Sequence, residues 1–538
     1  MIDLDQEEID PTCHHCGFYH YLRHVLRISS LAWWKIDLNE NFYFKNIHQN
    51  IFDPFIKTNQ EKVTPIKGAI SIGQYLIKQL HLLIKGYPKE DLQFMALALR
   101  ELATWKIILN KENIWASVQV RNVAHVFTNL LTTVDEEAFG DIGIVEETDF
   151  ISIYVMTEEI EKIISNVFNS RIFSWNPTLE KIIKTRLENE HLSRFHEHFE
   201  VQELLKPEEI TFADEKIINF LKQRNLDITE IKSKVSKESE KLFGFSFQDL
   251  LNFREQVITI SNKNGQVFEL SPIQDKISIK IVFVFKEQLK EVWNESLENI
   301  LCFMAYRPSF KKGNTYDKLS DPYMDYKFIF EYDNMLAFGI LDSSNSITMF
   351  ENISTSDHFI EDIFNKKATK VFQMAQRDIS YLMGMKIAEH FSKKQRFYVP
   401  MQQKGVPNVN IKTIVGNGIK KRIVNERNQD LGDIDALAVD ITNKKILLME
   451  IKYYKPSTNN LEMLKKDKKI FEDIEKIKAR AEWFNNNIES VVKAWKLEAG
   501  EYTVNTLLIT GRANFYGEQI EKETEGIQYY TYDGIMRF

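Results

Sequence analysis

The sequence predicts a multidomain α+β protein with a mainly helical region over residues 1–260, a β-rich middle region over 261–365 and a C-terminal α/β sandwich over 366–538. Three observations predict this fold class. A chain of 538 residues is long enough for several domains. Apolar residues recur at helical spacing in the first half of the chain. Short apolar runs bounded by turn residues follow, and the last third shows the order helix, strands, helix, strand.

The first region is predicted to be helical from stripes such as residues 97–105 and 160–168, where apolar positions recur every three or four residues. Such stripes are typical of a packed core. The stretch 1–365 contains 39 Lys and Arg against 55 Asp and Glu, so this part of the chain is acidic. We expect residues 1–260 to recognise a trigger, a protein partner or a DNA structure.

The middle region is predicted to contain strands. The apolar runs lie at residues 277–285, 328–332 and 336–341. Turn residues separate them at 311–314 and follow them at 342–346, where aspartate, serine and asparagine are concentrated. The spacing therefore predicts a small β-rich domain.

The last region begins with a predicted helix over 366–394 and a strand that starts at residue 396. Apolar runs at 434–440 and 446–454 flank a polar stretch and predict a β-hairpin. A lysine-rich helix over 461–487 and a buried strand over residues 504–510 complete the order that predicts the sandwich.

The hairpin carries two acids and a lysine that strand pairing brings together. If Thr442 and Asn443 form a two-residue turn, counting back along the strands places Asp435 directly opposite Glu450. Lys452 lies two positions beyond Glu450 and therefore points to the same face. The sequence thus predicts that the three side chains converge.

A divalent cation explains why two acids are placed together. Directly opposed carboxylates repel, and an acid in the apolar run 446–451 is unfavourable without a partner. Mg²⁺ takes oxygen ligands and turns this repulsion into binding. The pattern therefore indicates a Mg²⁺ or Mn²⁺ site held by Asp435 and Glu450. The alternative is an amphipathic hairpin with a solvated charged face.

The motif Gly432-Asp433-Ile434-Asp435, followed by Glu450-Ile451-Lys452, resembles the PD-(D/E)XK or restriction-endonuclease-like nuclease superfamily, and in particular its Mrr-type and NERD-type domains. The resemblance covers roughly residues 366–538, and the preceding two-thirds of the chain show none. It implies a restriction-endonuclease-like sandwich in which Asp435 and Glu450 bind the metal and Lys452 positions or activates the attacking water. It also implies hydrolysis of DNA, action as a homo-oligomer and a role in restriction or defence against foreign DNA.

One position departs from the family pattern. The family often has a glutamate on the helix before the hairpin, where this chain has Gly384. Candidate replacements are Asp378, Glu389 and Glu426, and Asp433 is expected to support the site. Two alternatives to a DNA nuclease remain open, and the departure favours the first of them. One is an inactive nuclease-like domain for nucleic-acid binding or assembly, and the other is a nuclease that cleaves RNA.

Phosphate contacts are predicted at Lys455 after the hairpin and at Lys476 and Arg480 on the lysine-rich helix. Residues 366–538 contain 30 Lys and Arg against 22 Asp and Glu, a basic balance that favours nucleic-acid binding. An ordinary solvated helix face is the alternative for these residues.

A second metal site is suggested near the N-terminus, where Cys13, Cys16, His20 and His24 have side chains that suit zinc. The short gap between Cys16 and His20 is unlike that of a zinc finger, so local packing at a helix start is the alternative. Three cysteines predict no disulfide scaffold, and no apolar run reaches membrane-spanning length. We therefore expect a cytoplasmic protein without a membrane partner.

Overall fold

The computed structural model confirms a mixed α+β fold. The residues that it describes are 43–59, 62–109, 114–134, 139–140, 145, 147–172, 175–187, 209–270, 279–291, 293–307, 326–332, 334–354, 360, 364, 369–453, 460–511 and 526–538. The zinc ligands predicted near the N-terminus and Lys455 lie outside these residues.

Helices form most of the described elements before residue 354. In chain order they are α1 (Asp53–Asn59), α2 (Pro65–Ile84), α3 (Lys89–Leu109), α4 (Ile114–Leu131), α5 (Glu147–Ile172), α6 (Leu179–Lys184), α7 (Glu215–Gln223), α8 (Ile228–Phe243), α9 (Phe247–Lys263), α10 (Glu295–Met304) and α11 (Ile340–Ile353). The strands are β1 (Val267–Leu270), β2 (Ile279–Phe285), β3 (Phe330–Glu331) and β4 (Met335–Gly339). The helices predicted from residues 97–105 and 160–168 are confirmed as parts of α3 and α5.

Strands dominate the elements after residue 369. They are β5 (Phe397–Tyr398), β6 (Met401–Gln403), β7 (Val406–Pro407), β8 (Thr413–Gly416), β9 (Ile419–Arg422), β10 (Ala436–Asp440), β11 (Lys445–Lys452), β12 (Thr503–Thr510) and β13 (Ile527–Thr531). The helices are α12 (Lys370–Ser392), α13 (Asn460–Ala494) and α14 (Tyr532–Arg537). Within the described residues, no helix has both the length and the apolar character needed to cross a membrane.

The chain divides into two compact units, each made of two separate stretches. Unit 1 combines Met1–Leu187 with Phe243–Glu351, and unit 2 combines Glu188–Leu242 with Asn352–Phe538. This division differs from the predicted boundaries near residues 260 and 365.

The difference arises because sheets need helices to cover their apolar faces. Ile281, Phe283 and Phe330 of the predicted middle region share one hydrophobic core with helices α2 to α5. In unit 2, Ile217 of α7 and Ile231 of α8 share a core with α12 and the C-terminal sheet. Each core therefore draws on stretches that are far apart in the sequence.

The sheet of unit 1 has the antiparallel order β1-β2-β4-β3, and α11 begins directly after β4. A buried network holds the start of this helix. The backbone N–H groups of Leu341 and Asp342 donate to the Glu101 carboxylate at 2.9 and 2.8 Å. The Asp342 carboxylate pairs with Arg100 at 2.9 Å and with Arg121 at 3.3 Å.

The turn predicted at residues 342–346 is wrong, because this stretch is the first part of α11. Ser343 and Ser346 are fully buried, and Ser346 accepts a hydrogen bond from Arg121. Local preference for a turn is outweighed by the buried partners of this stretch, which are distant in the sequence.

The main sheet of unit 2 has the order β13-β12-β11-β10-β5. β10 is antiparallel to β5 and to β11, whereas β11, β12 and β13 are parallel. α12 precedes the first of these strands, and α13 connects the parallel neighbours β11 and β12, as parallel pairing requires.

Both faces of this sheet are covered. On one face, Ala436, Ala438 and Met449 pack with residues of α12 such as Leu382. On the other, Leu437 and Leu448 pack with residues of α13, including Phe484 and Val491. Alternation along the strands therefore directs Glu450 and Lys452 towards the α13 face.

Candidate active site

The hairpin β10–β11 has the predicted register. Asp440 pairs with Lys445 and Ala436 pairs with Met449, so Asp435, one residue before β10, lies level with Glu450. The turn contains four residues rather than the predicted two. The Asp440 carboxylate accepts bonds from the backbone N–H groups of Thr442 and Asn443 at 3.2 and 3.0 Å, and these bonds favour the longer turn.

Asp435 is partly buried at the end of the sheet. Its carboxylate accepts a hydrogen bond from the backbone N–H of Ile451 at 2.6 Å. Burial, followed by the negative charge of Glu450, raises the pKa of Asp435 to about 8. The charge of Lys452 opposes this rise. A cation close to Asp435 would therefore relieve an unfavourable arrangement of two acids.

Glu450 is buried and both of its carboxylate oxygens have cationic partners. Oε1 lies 2.8 Å from Lys452 Nζ, and Oε2 accepts a hydrogen bond from Arg480 Nη1. Arg480 is itself buried and also donates from Nε to the carbonyl of Leu431 at 2.8 Å. Arg480, which was predicted to contact phosphate from an exposed helix face, is instead buried and paired inside the site.

Gly432 makes room for this arginine. A Cβ atom at this position would lie 2.6 Å from Arg480 Nη2, which is closer than atoms pack. Its φ of +88° is also in the region that side chains disfavour. Both requirements explain a glycine directly before the acidic segment.

Lys452 connects the sheet to α13. Besides Glu450, its ammonium group lies 3.6 Å from the carboxylate of Asp473, which pairs with Lys476 at 2.7 Å. Burial acts against the charged form of Lys452, but the charges of Glu450 and Asp435 hold its pKa above the usual range. Burial likewise acts to raise the pKa of Asp473, and Lys476 and Lys452 outweigh it and lower that pKa.

Sequence reasoning missed Asp473 as a site residue and missed the pairing of Arg480 with Glu450. Both lie beside the apolar stripe of α13, in which Ile470, Ile477 and Phe484 are buried. Arg480 follows Ile477 by three residues and precedes Phe484 by four, which is the spacing of the buried face. A charged residue at such a position is a signal that it pairs with a buried partner.

The oxygen atoms at this site suit a hard divalent cation. Two carboxylates come from Asp435 and Glu450, and the carbonyl of Ile451 lies on the same strand edge as its N–H, which binds Asp435. Lys452, one residue later, uses its carbonyl on the opposite edge, where it accepts from Gly511 N at 3.1 Å. Among the described residues, no group of three or more His, Cys, Asp or Glu forms a candidate metal site.

The expected position of a helical acid, Gly384, lies against the backbone of Asp435 on the α12 face of the sheet. A Cβ at Gly384 would lie 3.3 Å from the backbone oxygen of Asp435. Glu389, proposed as a replacement, is instead bound by Lys386 and Lys393, each at 2.8 Å. Burial acts to raise the pKa of Glu389, and these two lysines outweigh it and lower that pKa. The Glu389 carboxylate is therefore satisfied by lysines on α12 and directly after it.

The other accessory acids differ in their surroundings. Asp378 lies 3.5 Å from Arg377 on α12, and Glu426 is exposed in a turn. Asp433 is close enough for its charge to contribute to the raised pKa of Asp435. Lys476 is largely exposed, so it keeps the surface position predicted for a phosphate contact.

Comparison with known proteins gives no relative for this chain: no family model, curated protein or solved structure matches it.

Proposed function

We propose that unit 2 is a metal-dependent nuclease that hydrolyses DNA phosphodiester bonds. The observation that carries the proposal is the convergence of Asp435, Glu450 and Lys452 at one end of β10 and β11. Two acids and a lysine on adjacent strands are the groups needed to hold a divalent cation and to stabilise negative charge at a phosphate.

The arrangement of elements supports the same proposal. α12 precedes the antiparallel strands β5, β10 and β11, and α13 then leads to the parallel strand β12. The two helices cover opposite faces of the sheet. This arrangement supports a helix–sheet–helix sandwich of the kind that the resemblance to restriction-endonuclease-like domains implies.

Asp435, Glu450 and the Ile451 carbonyl would hold the metal ion. Mg²⁺ or Mn²⁺ bound there would lower the pKa of a water molecule and stabilise the charge that develops at the scissile phosphate. Arg480 fixes the orientation of the Glu450 carboxylate through one oxygen. The Ile451 N–H fixes Asp435 in the same way.

Lys452 acts in this proposal as a cation. Its neighbours Glu450 and Asp435 favour the ammonium form, although burial opposes it. An ammonium group has three N–H donors, and a donor beyond the Glu450 contact can orient the attacking water or a phosphate oxygen. A role as the proton acceptor would require the neutral amine, which these acids disfavour.

An inactive nuclease-like domain that binds nucleic acid is the second candidate. Two observations favour the inactive domain. Lys452 and Arg480 already satisfy both oxygens of Glu450, and Gly384 supplies no acid from α12. In this case the ion pairs of Glu450 with Lys452 and Arg480 would stabilise the fold, and the chain would bind DNA without cutting it.

Cleavage assays with variants separate these candidates. Plasmid, linear and single-stranded DNA and single-stranded RNA are incubated with Mg²⁺ or Mn²⁺ and the wild-type chain, Glu450→Ala or Lys452→Ala. We expect metal-dependent DNA cleavage by the wild type and a loss of about 10²–10³-fold in both variants. Titration calorimetry with Mn²⁺ should show binding that Glu450→Ala removes.

Glu475→Ala is the matched control, because Glu475 is an exposed carboxylate on α13 near Asp473. It should cleave like the wild type. Cleavage that survives Glu450→Ala and Lys452→Ala would refute this active site. DNA binding without any cleavage or Mn²⁺ binding would favour the inactive domain, and a preference for RNA would change the substrate.

A further inference from the structure

A β-hairpin beside the candidate active site carries only positive charge. Residues 411–423, here called the basic hairpin, contain β8 and β9 with Lys412, Lys420, Lys421 and Arg422 and have no acidic residue. Within the described part of the chain, the three lysines form no ion pair. Arg422 lies 3.9 Å from Asp430, and both side chains are largely exposed, so this pair neutralises little charge.

The basic hairpin starts at the site itself. Asn410 donates its backbone N–H to the carbonyl of Asp435 at 3.1 Å, and Ile411 pairs with Ile434. Lys412 is thus only two residues from a direct contact with Asp435. Its carbonyl accepts from Ile423 N at 3.0 Å, so Arg422, the preceding residue, is also at the base of the hairpin.

One face of the hairpin is fixed and the other is open. Ile414 and Ile423 are buried in the core that includes α13. At the tip, Asn417 donates to the carbonyl of Lys493 near the end of α13. The hairpin therefore extends about 16 Å along α13, at about 3.3 Å per residue from 411 to 416. It is a supported ribbon rather than a free loop.

The open face presents two cations. Val415 pairs with Lys420 and Thr413 pairs with Arg422, and paired residues point to the same side of a ribbon. Val415, Lys420 and Arg422 are exposed, in keeping with this direction. Lys420 and Arg422 are two residues apart in β9, so their Cα atoms are spaced about 7 Å along the same face of the hairpin.

We propose that the basic hairpin binds the phosphate backbone of duplex DNA next to the site of cleavage. This inference rests on the proposed function for the identity of the partner. Exposed cations on a rigid ribbon complement a polyanion, and a two-stranded ribbon has the width that a duplex groove accepts. The hairpin would guide the duplex so that one phosphate reaches Asp435 and Glu450.

Binding of a short fluorescent DNA duplex to the full chain tests the proposal. Anisotropy is measured in EDTA, which prevents cleavage, at salt concentrations from about 50 to 200 mM. Removing two phosphate contacts in the Lys420→Ala/Arg422→Ala variant should weaken binding at least about ten-fold and reduce the slope of log K against log salt by about 1.8. Lys420→Glu/Arg422→Glu should weaken binding further.

The matched control is Lys237→Ala/Lys241→Ala, which removes two exposed cations from α8 in the same unit. It should leave affinity and slope unchanged. An unchanged affinity of the hairpin variants, with circular dichroism like that of the wild type, would overturn the proposal. An equal loss of DNA affinity in the control variant would also overturn the proposal, because the net positive charge of the unit, rather than the hairpin, would then explain binding. Hairpin-dependent binding without cleavage would support the hairpin while refuting the nuclease.

Discussion

At the scale of single residues, Arg480 decides how Glu450 is held. It crosses from α13 to the sheet, binds a carboxylate oxygen of Glu450 and is anchored by the Leu431 carbonyl. In the absence of another cation, Arg480 and Lys452 balance the charges of the two acids. A divalent ion at Asp435 and Glu450 would share this task, so Arg480 and the metal should be energetically coupled.

Arg480→Met tests that coupling. We expect the metal-free variant to lose about 3 kcal/mol of unfolding free energy, because it leaves Glu450 buried with one partner. Mg²⁺ should restore part of this loss, so its effect on the melting temperature should be larger in the variant than in the wild type. Differential scanning fluorimetry with and without Mg²⁺ measures both effects.

Lys478→Met is the control for this comparison, because Lys478 is an exposed residue on the same helix whose partner, Glu475, is also exposed. Its melting temperature should stay close to that of the wild type. Equal Mg²⁺-induced shifts in Arg480→Met and the wild type would show that Arg480 and the metal do not share Glu450.

In unit 1, Asp342 is likewise a buried carboxylate that is held by two cationic side chains. It is fully buried between Arg100 and Arg121, and these two cations outweigh its burial and lower its pKa. Asp342→Asn should cost about 3–5 kcal/mol in urea unfolding, because two buried cations lose their anion. Asp53→Asn breaks an exposed pair with Lys184 and should cost less than about 1 kcal/mol. Similar losses in the two variants would contradict this account.

At the scale of elements, the β10–β11 hairpin depends on Asp440. Burial acts to raise the pKa of this carboxyl, but the bonds from Arg396 and Asn443 lower it to about 2. An acid with a lowered folded-state pKa stabilises the protein above its unfolded-state pKa of about 4. That contribution disappears as the pH falls from about 4 towards 2.

Asp440→Asn should therefore reduce stability by about 1 kcal/mol at neutral pH and make no difference near pH 2. Unfolding by urea at a series of pH values measures the difference from the wild type. A difference that stays constant down to pH 2 would show that the charge of Asp440 is not involved.

The hairpin also shows how far the sequence predicts the site. Alternation of apolar residues and the position of the polar stretch were enough to predict the register that places Asp435 level with Glu450. The length of the turn depends on side-chain bonds from Asp440, which alternation does not reveal. The pairing of Arg480 with Glu450 joins residues thirty positions apart, and only the packing of α13 on the sheet brings them together.

At the scale of the whole molecule, the predicted boundary of the C-terminal domain leaves out two helices that share its core. The segment 366–538 lacks α7 and α8, whose apolar residues complete the core of unit 2, among them Ile217, Phe220, Leu221 and Ile231. Burial of each such side chain contributes about 1.5–3 kcal/mol. Their combined loss is comparable with the whole stability of a typical domain, about 5–15 kcal/mol.

We therefore expect a fragment of residues 366–538 to be unfolded or aggregated, whereas residues 188–242 joined to 352–538 by a flexible linker should melt cooperatively. Soluble yield and thermal circular dichroism distinguish the two fragments. Cooperative melting of the shorter fragment at the temperature of the longer one would show that α7 and α8 are dispensable.

Because each unit is made of two separate stretches of the chain, neither unit can complete its core until its second stretch has been synthesised. The helices before Leu187 share their core with strands that end at Gly339. At about 5–20 residues per second, roughly 8–30 s of translation separate the two. During that interval, the apolar helix faces that later pack against the unit 1 sheet have no sheet to cover them. The nascent chain should therefore be a client of chaperones that shield hydrophobic surface, and slower translation should lengthen its dependence on them.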